Sequence, residues 1–208
     1  NPGGAGTGKL LPSAHVLEDM EVDDHGTYTV SLVDAATPMV YVAAEALDMT
    51  ATERPEAIDA DKALKTRLEA IRRAGAIRMG LANRAEDVGF ASPRIAVVAA
   101  PIEFTALNDE IIAPDTQDLT VRVISSGDAH RASPLTSAMC LAAACKIEGT
   151  LPHSLATKNA SDVRIGNPSG VLSVGAEVIR EDGEWTTLLT RSYRTQRRLM
   201  EGMVLVPA

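Results

Sequence analysis

The sequence predicts an α/β fold in which strands enclose a buried central helix, and three observations carry that expectation. Residues 135–146 (LTSAMCLAAACK) are apolar on nearly every face, so they leave no side for water and must be surrounded. The run is far shorter than the roughly 20 apolar residues needed to span a bilayer, and its small side chains suit close approach by a sheet. Strand-like runs stand both before and after it, and at 45% hydrophobic residues the 208-residue chain can bury a sizeable core. Aromatics make up only 3%, which leaves Val, Leu, Ile and Ala to fill that core around isolated anchors such as Trp185.

From the start of the chain, residues 3–9 (GGAGTGK) match the G-x-x-x-x-G-K spacing of a phosphate-binding loop. Leu10 stands where a magnesium-binding Ser or Thr is required, and Pro12 blocks the helix that should follow, so a flexible entry segment is expected instead. Residues 16–22 and 27–33 are strand-like runs flanking Asp23-Asp24-His25-Gly26, whose composition predicts a hairpin, and 38–44 (PMVYVAA) is a third strand. Residues 57–81 place Leu64, Leu68, Ile71 and Ala74 at helical spacing. Asp59 and Asp61 come early, and Arg72, Arg73 and Arg78 late, as the helix dipole favours. This is an amphipathic surface helix whose charges read as a solvated face.

After a loop at 83–92, the continuous apolar run 94–101 (RIAVVAAP) predicts a buried strand, 104–118 is irregular, and 119–124 (LTVRVI) alternates as a half-buried strand. Beyond the central helix a loop over 148–161 leads to strands at 163–165, 171–180 and 185–192. The last two are joined by the turn Glu181-Asp182-Gly183. A basic connector (194–200) and a closing strand (203–207, MVLVP) end the chain.

The net charge of −8 excludes a nucleic-acid or anionic-membrane surface as the main partner, because both need clustered Lys and Arg. Small molecules are the expected partners, with no membrane or nucleic acid. Cys140 and Cys145 are five positions apart in the apolar helix, point to different faces, and read as core thiols of a reducing compartment. The cytoplasm is therefore the expected location, and the sequon Asn159-Ala160-Ser161 is expected to be idle. His15, His25, His130 and His153 show no ligand spacing, so no metal is expected.

One place stands out chemically. The loop 125–133 brings Ser125, Ser126, His130, Thr136 and Ser137 to the start of the central helix, where free backbone N–H groups and the positive dipole end favour an anion. Two readings are open there. Either the corner binds a carboxylate, or Thr136 or Ser137 merely caps the helix and His130 is a solvated loop residue.

Six strings resemble, in order, the C-terminal half of the PrpF family: TGKLLPS (7–13), VDAATPMVYV (33–42), SGDAHRASPLTSAMC (126–140), IEGTLP (147–152), IGNPSG (165–170) and RTQRRLMEGMVLVP (194–207). That family includes 2-methylaconitate cis–trans isomerases and is related to 4-oxalomesaconate tautomerases and methylitaconate isomerases. The resemblance implies a diaminopimelate epimerase-like lobe, a curved, mostly antiparallel sheet wrapped round a central apolar helix. Residues 1–15 would be an entry segment from a missing N-terminal lobe, and 16–208 the C-terminal lobe.

It also implies cofactor-independent allylic proton transfer in an unsaturated di- or tricarboxylate. The proton-transferring Lys and Cys would belong to the missing lobe, so the chain alone is expected to be inactive. A non-catalytic lobe that only binds a ligand or partner is the alternative. Pro134 falls where the second catalytic cysteine of the epimerases would lie, and this half offers no catalytic residue. It offers substrate binding by Thr37, Ser126, His130, Thr136 and Ser137. Thr37 replaces the family's Asn before proline, and Ser137 a more usual glycine.

Overall fold

The computed structural model describes residues 3–157, 162–194, 197–203 and 205. The sequon and most of the expected closing strand lie outside the described residues.

The chain opens with an antiparallel meander of β1 (Glu18–Val22), β2 (Gly26–Asp34) and β3 (Pro38–Ala43). Two helices follow, α1 (Pro55–Ala60) and α2 (Lys62–Arg78), and then β4 (Arg94–Ala99), which pairs parallel with β3. A two-stranded hairpin of β5 (Phe104–Thr105) and β6 (Ile111–Ile112) precedes β7 (Leu119–Ser125), which runs antiparallel to β4 and turns back into the short β8 (Asp128–Ala129). The central helix α3 (Leu135–Ala144) and a short α4 (Leu151–Leu155) come next. The sheet is completed by β9 (Val163–Asn167), β10 (Gly170–Glu181) and β11 (Glu184–Ser192). Its path is β1-β2-β3-β4-β7-β9-β10-β11 with β8 paired to β7, antiparallel except at β3–β4 and β7–β9.

Strand alternation sends successive side chains to opposite faces, and here each face has its own helix. Met39 and Tyr41 of β3, Ala96 and Val98 of β4, and Leu119, Val121 and Val123 of β7 pack with the buried residues of α3. Val40 and Val42, Ile95 and Val97, and Ile124 pack with Leu64, Leu68 and Ile71 of α2. Val163, Ile165 and Val174 close over α3 from the far side, so strands from before and after it in the chain enclose it as its apolar surface requires. Gly75 lets α2 approach closely, since a Cβ there would lie 2.5 Å from Val40 Cγ2.

Several local expectations are corrected. The predicted helix over 57–81 is two helices. Asp61 takes an extended conformation between them, and its carboxylate accepts the Leu64 N–H at 2.9 Å, ending α1 and capping α2. The charges of α2 are not wholly a solvated face. Arg72 is buried, is paired by Glu69, and donates to the Gly89 and Pro93 carbonyls at 3.0 and 3.2 Å, fixing the loop that enters β4. The loop over 148–161 contains α4, capped by Thr150, and the irregular stretch 104–118 contains the β5–β6 hairpin.

The glycine-rich start is docked rather than flexible. The N–H groups of Gly6 and Thr7 and the Thr7 hydroxyl all donate to Asp34 Oδ2 at 2.7 to 2.9 Å, while Leu10 joins the core around α3. The donors that a phosphate would need are thus engaged by a carboxylate of the chain itself. Among the described residues, no helix is long and apolar enough to cross a membrane.

Candidate functional site

The sheet register brings the candidate residues to one end of the fold. Met39 pairs with Arg94 across β3 and β4, and Ile95 pairs with Ile124 across β4 and β7, so the starts of β3 and β4 and the end of β7 share an edge. Thr37 lies in the turn just before β3, half-buried. Ser126 and Gly127 take positive φ angles of 51° and 82° in the tight turn into β8, with Ser126 exposed at its tip. The chain then comes back past β7, where the His130 N–H donates to the Val123 carbonyl at 2.8 Å, and enters α3.

The start of α3 has no side-chain cap. Pro134 occupies the cap position and, among the described residues, no hydroxyl or carboxylate accepts from the first turn, so Thr136 and Ser137 do not play the capping role. Both hydroxyls face Arg94 instead. Its NH1 donates to Thr136 Oγ1 and to Ser137 Oγ, each at 2.9 Å. Ser137 is buried and Thr136 exposed, so the guanidinium bridges from the interior to the mouth. Arg94 Nε, His130 Nε2 and Ser133 Oγ are buried without a hydrogen-bond partner among the described residues. Burial, and secondarily the Arg94 charge, hold the His130 pKa below its ordinary value, so the imidazole stays neutral at a pH where a free histidine begins to charge.

Arg94 is the residue that sequence reading missed. It reads as the first residue of a buried apolar strand, and nothing local says that its side chain reaches a helix mouth some forty positions later in the chain. The only available signal was a cation opening an otherwise apolar run. The structure brings Arg94, His130, Thr136 and Ser137 together. Among the described residues, no hydrogen bond joins the side chain of Thr37 or Ser126 to them, although both stand at the same end of the sheet.

The two cysteines are core groups. Burial pushes both thiols up to about 12, which keeps them neutral and poorly nucleophilic. Cys140 Sγ accepts the Ala35 N–H at 3.4 Å and donates to the Val33 carbonyl at 3.5 Å, pinning α3 to the β2–β3 turn that carries Thr37.

Chemically, the corner gathers unspent N–H groups, two hydroxyls and a guanidinium, all suited to an acceptor-only anion. The fold has a close counterpart in the crystal structure of methylitaconate-delta-isomerase. That match has a TM-score of 0.82 and 30% identity, covering 93% of this chain and 52% of the other. The diaminopimelate epimerase-like arrangement of sheet and central helix is therefore shared. The 2-methyl-aconitate isomerase of Shewanella oneidensis is 36% identical over 203 residues, which is 96% of this chain and 51% of that protein. The 3-methylitaconate isomerase of Eubacterium barkeri is 34% identical over 209 residues, 98% of this chain and 54% of its own length. The chain spans about half the length of the curated relatives it matches. The family model described as PrpF protein matches residues 1–207, and the chain belongs to the PrpF family.

Proposed function

We propose that this chain supplies the substrate-binding corner of a cofactor-independent isomerase or tautomerase of unsaturated di- or tricarboxylates. The relatives are named for isomerisation of 2-methyl-aconitate and 3-methylitaconate and for tautomerisation of 4-oxalomesaconate. One observation carries the reading. An uncapped helix N-terminus, the Arg94 guanidinium and His130 meet in one place, with no carboxylate of the described residues bonded to Arg94 there. Placing a guanidinium beside the positive end of a helix is electrostatically unfavourable until an anion joins them.

In the reaction, a base removes a proton allylic to a double bond conjugated with a carboxylate, and negative charge spreads onto that carboxylate. The corner holds it. The N–H groups of the first turn of α3, the Thr136 hydroxyl and Arg94 are fixed donors that stabilise the charge as it grows without reorganising. Thr37, at the end of the sheet where Pro38 starts β3, would contact a second polar group of the substrate, and Ser126 would line the rim. The proton is moved by groups that the family resemblance assigns to the other lobe.

Titration of the isotope-labelled chain with cis-aconitate, followed by amide NMR, tests this reading. The Leu135, Thr136 and Ser137 amides should shift and saturate together, and added salt should weaken binding. Shifts confined to other surfaces, or none, would overturn it.

A further inference from the structure

We infer that a cavity of about 360 Å³ beside Phe90, on the α2 face of the sheet, binds an apolar, ring-bearing monocarboxylate at a site separate from the mouth of α3. The cavity lies between α2, the loop that enters β4 and the turn from β7 into β8. Its floor is core, since Leu68, Ile95 and Ile124 belong to the cluster packed with α2. Alternation along β7 sends Val123 to the α3 side and Ile124 to this one, so the sheet stands between the two sites.

Phe90 supplies the first sign of a ligand. The chain has two phenylalanines; Phe104 is 5% exposed, whereas Phe90 is 64% exposed. A ring left in water at the edge of an apolar floor gains stabilisation when a second apolar surface covers it. Gly127, at a φ of 82°, brings the β7–β8 turn up to that ring with no side chain between them, because a Cβ there would stand 3.4 Å from the ring.

The rim charges select the ligand. Arg72 and Arg73 share a single carboxylate, that of Glu69, while Lys65 pairs with Asp128 at 2.9 Å. Lys65, Arg72 and Arg73 thus stand against two carboxylates, which leaves one positive charge in excess. Donors are in excess as well. Arg73 gives Nε to Glu69 and Nη1 to the Ala85 carbonyl, and among the described residues its Nη2 has no partner. Lys65 donates once, to Asp128, and among the described residues the Ser125 hydroxyl bonds to no other group. One carboxylate on an apolar ring answers both surpluses while the ring covers Phe90 and the floor. A polycarboxylate would press further charges against Leu68, Ile95 and Ile124, where nothing pairs them.

Amide NMR of the 208-residue chain, titrated separately with indole-3-acetate, neutral indole and cationic tryptamine, tests this site. Indole-3-acetate should shift the Thr66, Phe90, Ser125 and Gly127 amides along one saturating curve. It should bind about threefold tighter than indole and about tenfold tighter than tryptamine, the modest factors of a half-exposed ion pair. Saturating cis-aconitate at constant ionic strength should leave that affinity unchanged. Phe90→Ala, which removes a largely exposed ring, should weaken all three probes by about tenfold. Arg73→Gln should bring indole-3-acetate and indole to within about twofold of each other.

Three results would overturn the site: no saturation of these amides by any probe, equal affinity for all three, or displacement of indole-3-acetate by cis-aconitate, which would seat it in the α3 corner. Sedimentation covers a further occupant. A chain dimeric as wild type and monomeric as Phe90→Ala would mean that a second copy covers the ring, and no ligand site would remain. Should Phe90→Ala not fold, the order of the three probes and the Arg73→Gln ratio decide. Loss of the cis-aconitate shifts expected at α3 would sink the corner described above and leave this site standing.

Discussion

The helices α2 and α3 pack on opposite faces of the same strands, yet they meet those strands and begin in different ways. Most of the polar side of α2 faces water, with Arg72 the buried exception, and Asp61 accepts an N–H from its first turn. In α3, Ala138, Cys140, Leu141, Ala142, Ala143 and Ala144 are all buried, while its first turn has no cap and faces Arg94. The fold places its polar groups differently at the two starts. A structural helix satisfies its own end with an acid three residues before the bonded amide, whereas the enclosed helix leaves its end open and surrounds it with donors. The start of α1 at Arg54 also lacks a side-chain cap, so an open end alone marks nothing; what sets α3 apart is the guanidinium and the two hydroxyls gathered at its end.

A charge placed on each helix separates the two most strongly. Leu141→Asp puts an unpaired carboxylate inside the enclosed core and should cost several kcal/mol, enough to prevent cooperative folding. Ala63→Asp, on the exposed first turn of α2, should change stability by no more than about 0.5 kcal/mol. Urea unfolding of the two variants measures this. A soluble Leu141→Asp chain with a normal transition would mean that α3 is not enclosed.

A smaller effect sharpens the contrast between the two helix starts. Asp61→Ala removes a working cap and should destabilise by about 1 kcal/mol. Thr136→Val removes a hydroxyl that caps nothing and should lie within about 0.5 kcal/mol of wild type. Thermal unfolding of both variants at equal concentration separates the roles. Comparable losses would return Thr136 to the capping role considered from the sequence.

Much of this architecture is legible in the residues because period and composition carry it. The apolar run of 94–101, the Asp-rich turn before Gly26 and the all-round apolar surface of 135–144 each force one local answer, and the strands enclosing α3 follow from the last of them; the alternation in 119–124 marks a strand but not its setting, since β7, expected to be half-buried, is covered on both faces and buries Thr120 and Arg122 as well. What escaped the reading depends on partners distant in sequence. Asp61 breaks the long helix because its carboxylate is worth more as a cap than its backbone is as one more helical residue.

The glycine-rich start is ordered by Asp34, which stands 27 and 28 positions away from the two amides it receives. Arg72 looks like one more surface charge and is instead buried against two carbonyls of the loop before Arg94. The same limit applies to the site. His130, Thr136 and Ser137 could be named because the helix start is local. Arg94 could not, because its meeting with them is set by the β4–β7 register.

The smallest expected effect concerns His130, and it tests whether the open helix end is electropositive, as the contrast with α2 requires. A surface histidine titrates near about 6.5, so binding through it would be expected to strengthen as pH falls toward 6. In the fold, burial and then the Arg94 charge depress its pKa, which moves that gain to lower pH. The sign follows from proton linkage. Above about 6.5 the residue is neutral in both folded and unfolded chains and contributes nothing; below that value the unfolded chain takes up the proton first, so stability falls as pH drops toward the folded pKa.

His130→Gln should therefore lose less stability than wild type over that window. An ionised carboxylate placed beside Arg94 offsets the guanidinium and should raise the His130 pKa, so that binding takes up protons and tightens with falling pH in the same window. Following the His130 ring signals by NMR, with and without tricarballylate, reads both effects. A free-chain midpoint at or above 6.5, unmoved by ligand, would mean that Arg94 and His130 do not share one electrostatic corner, and the open end of α3 would then have to be explained by Arg94 and the two hydroxyls alone.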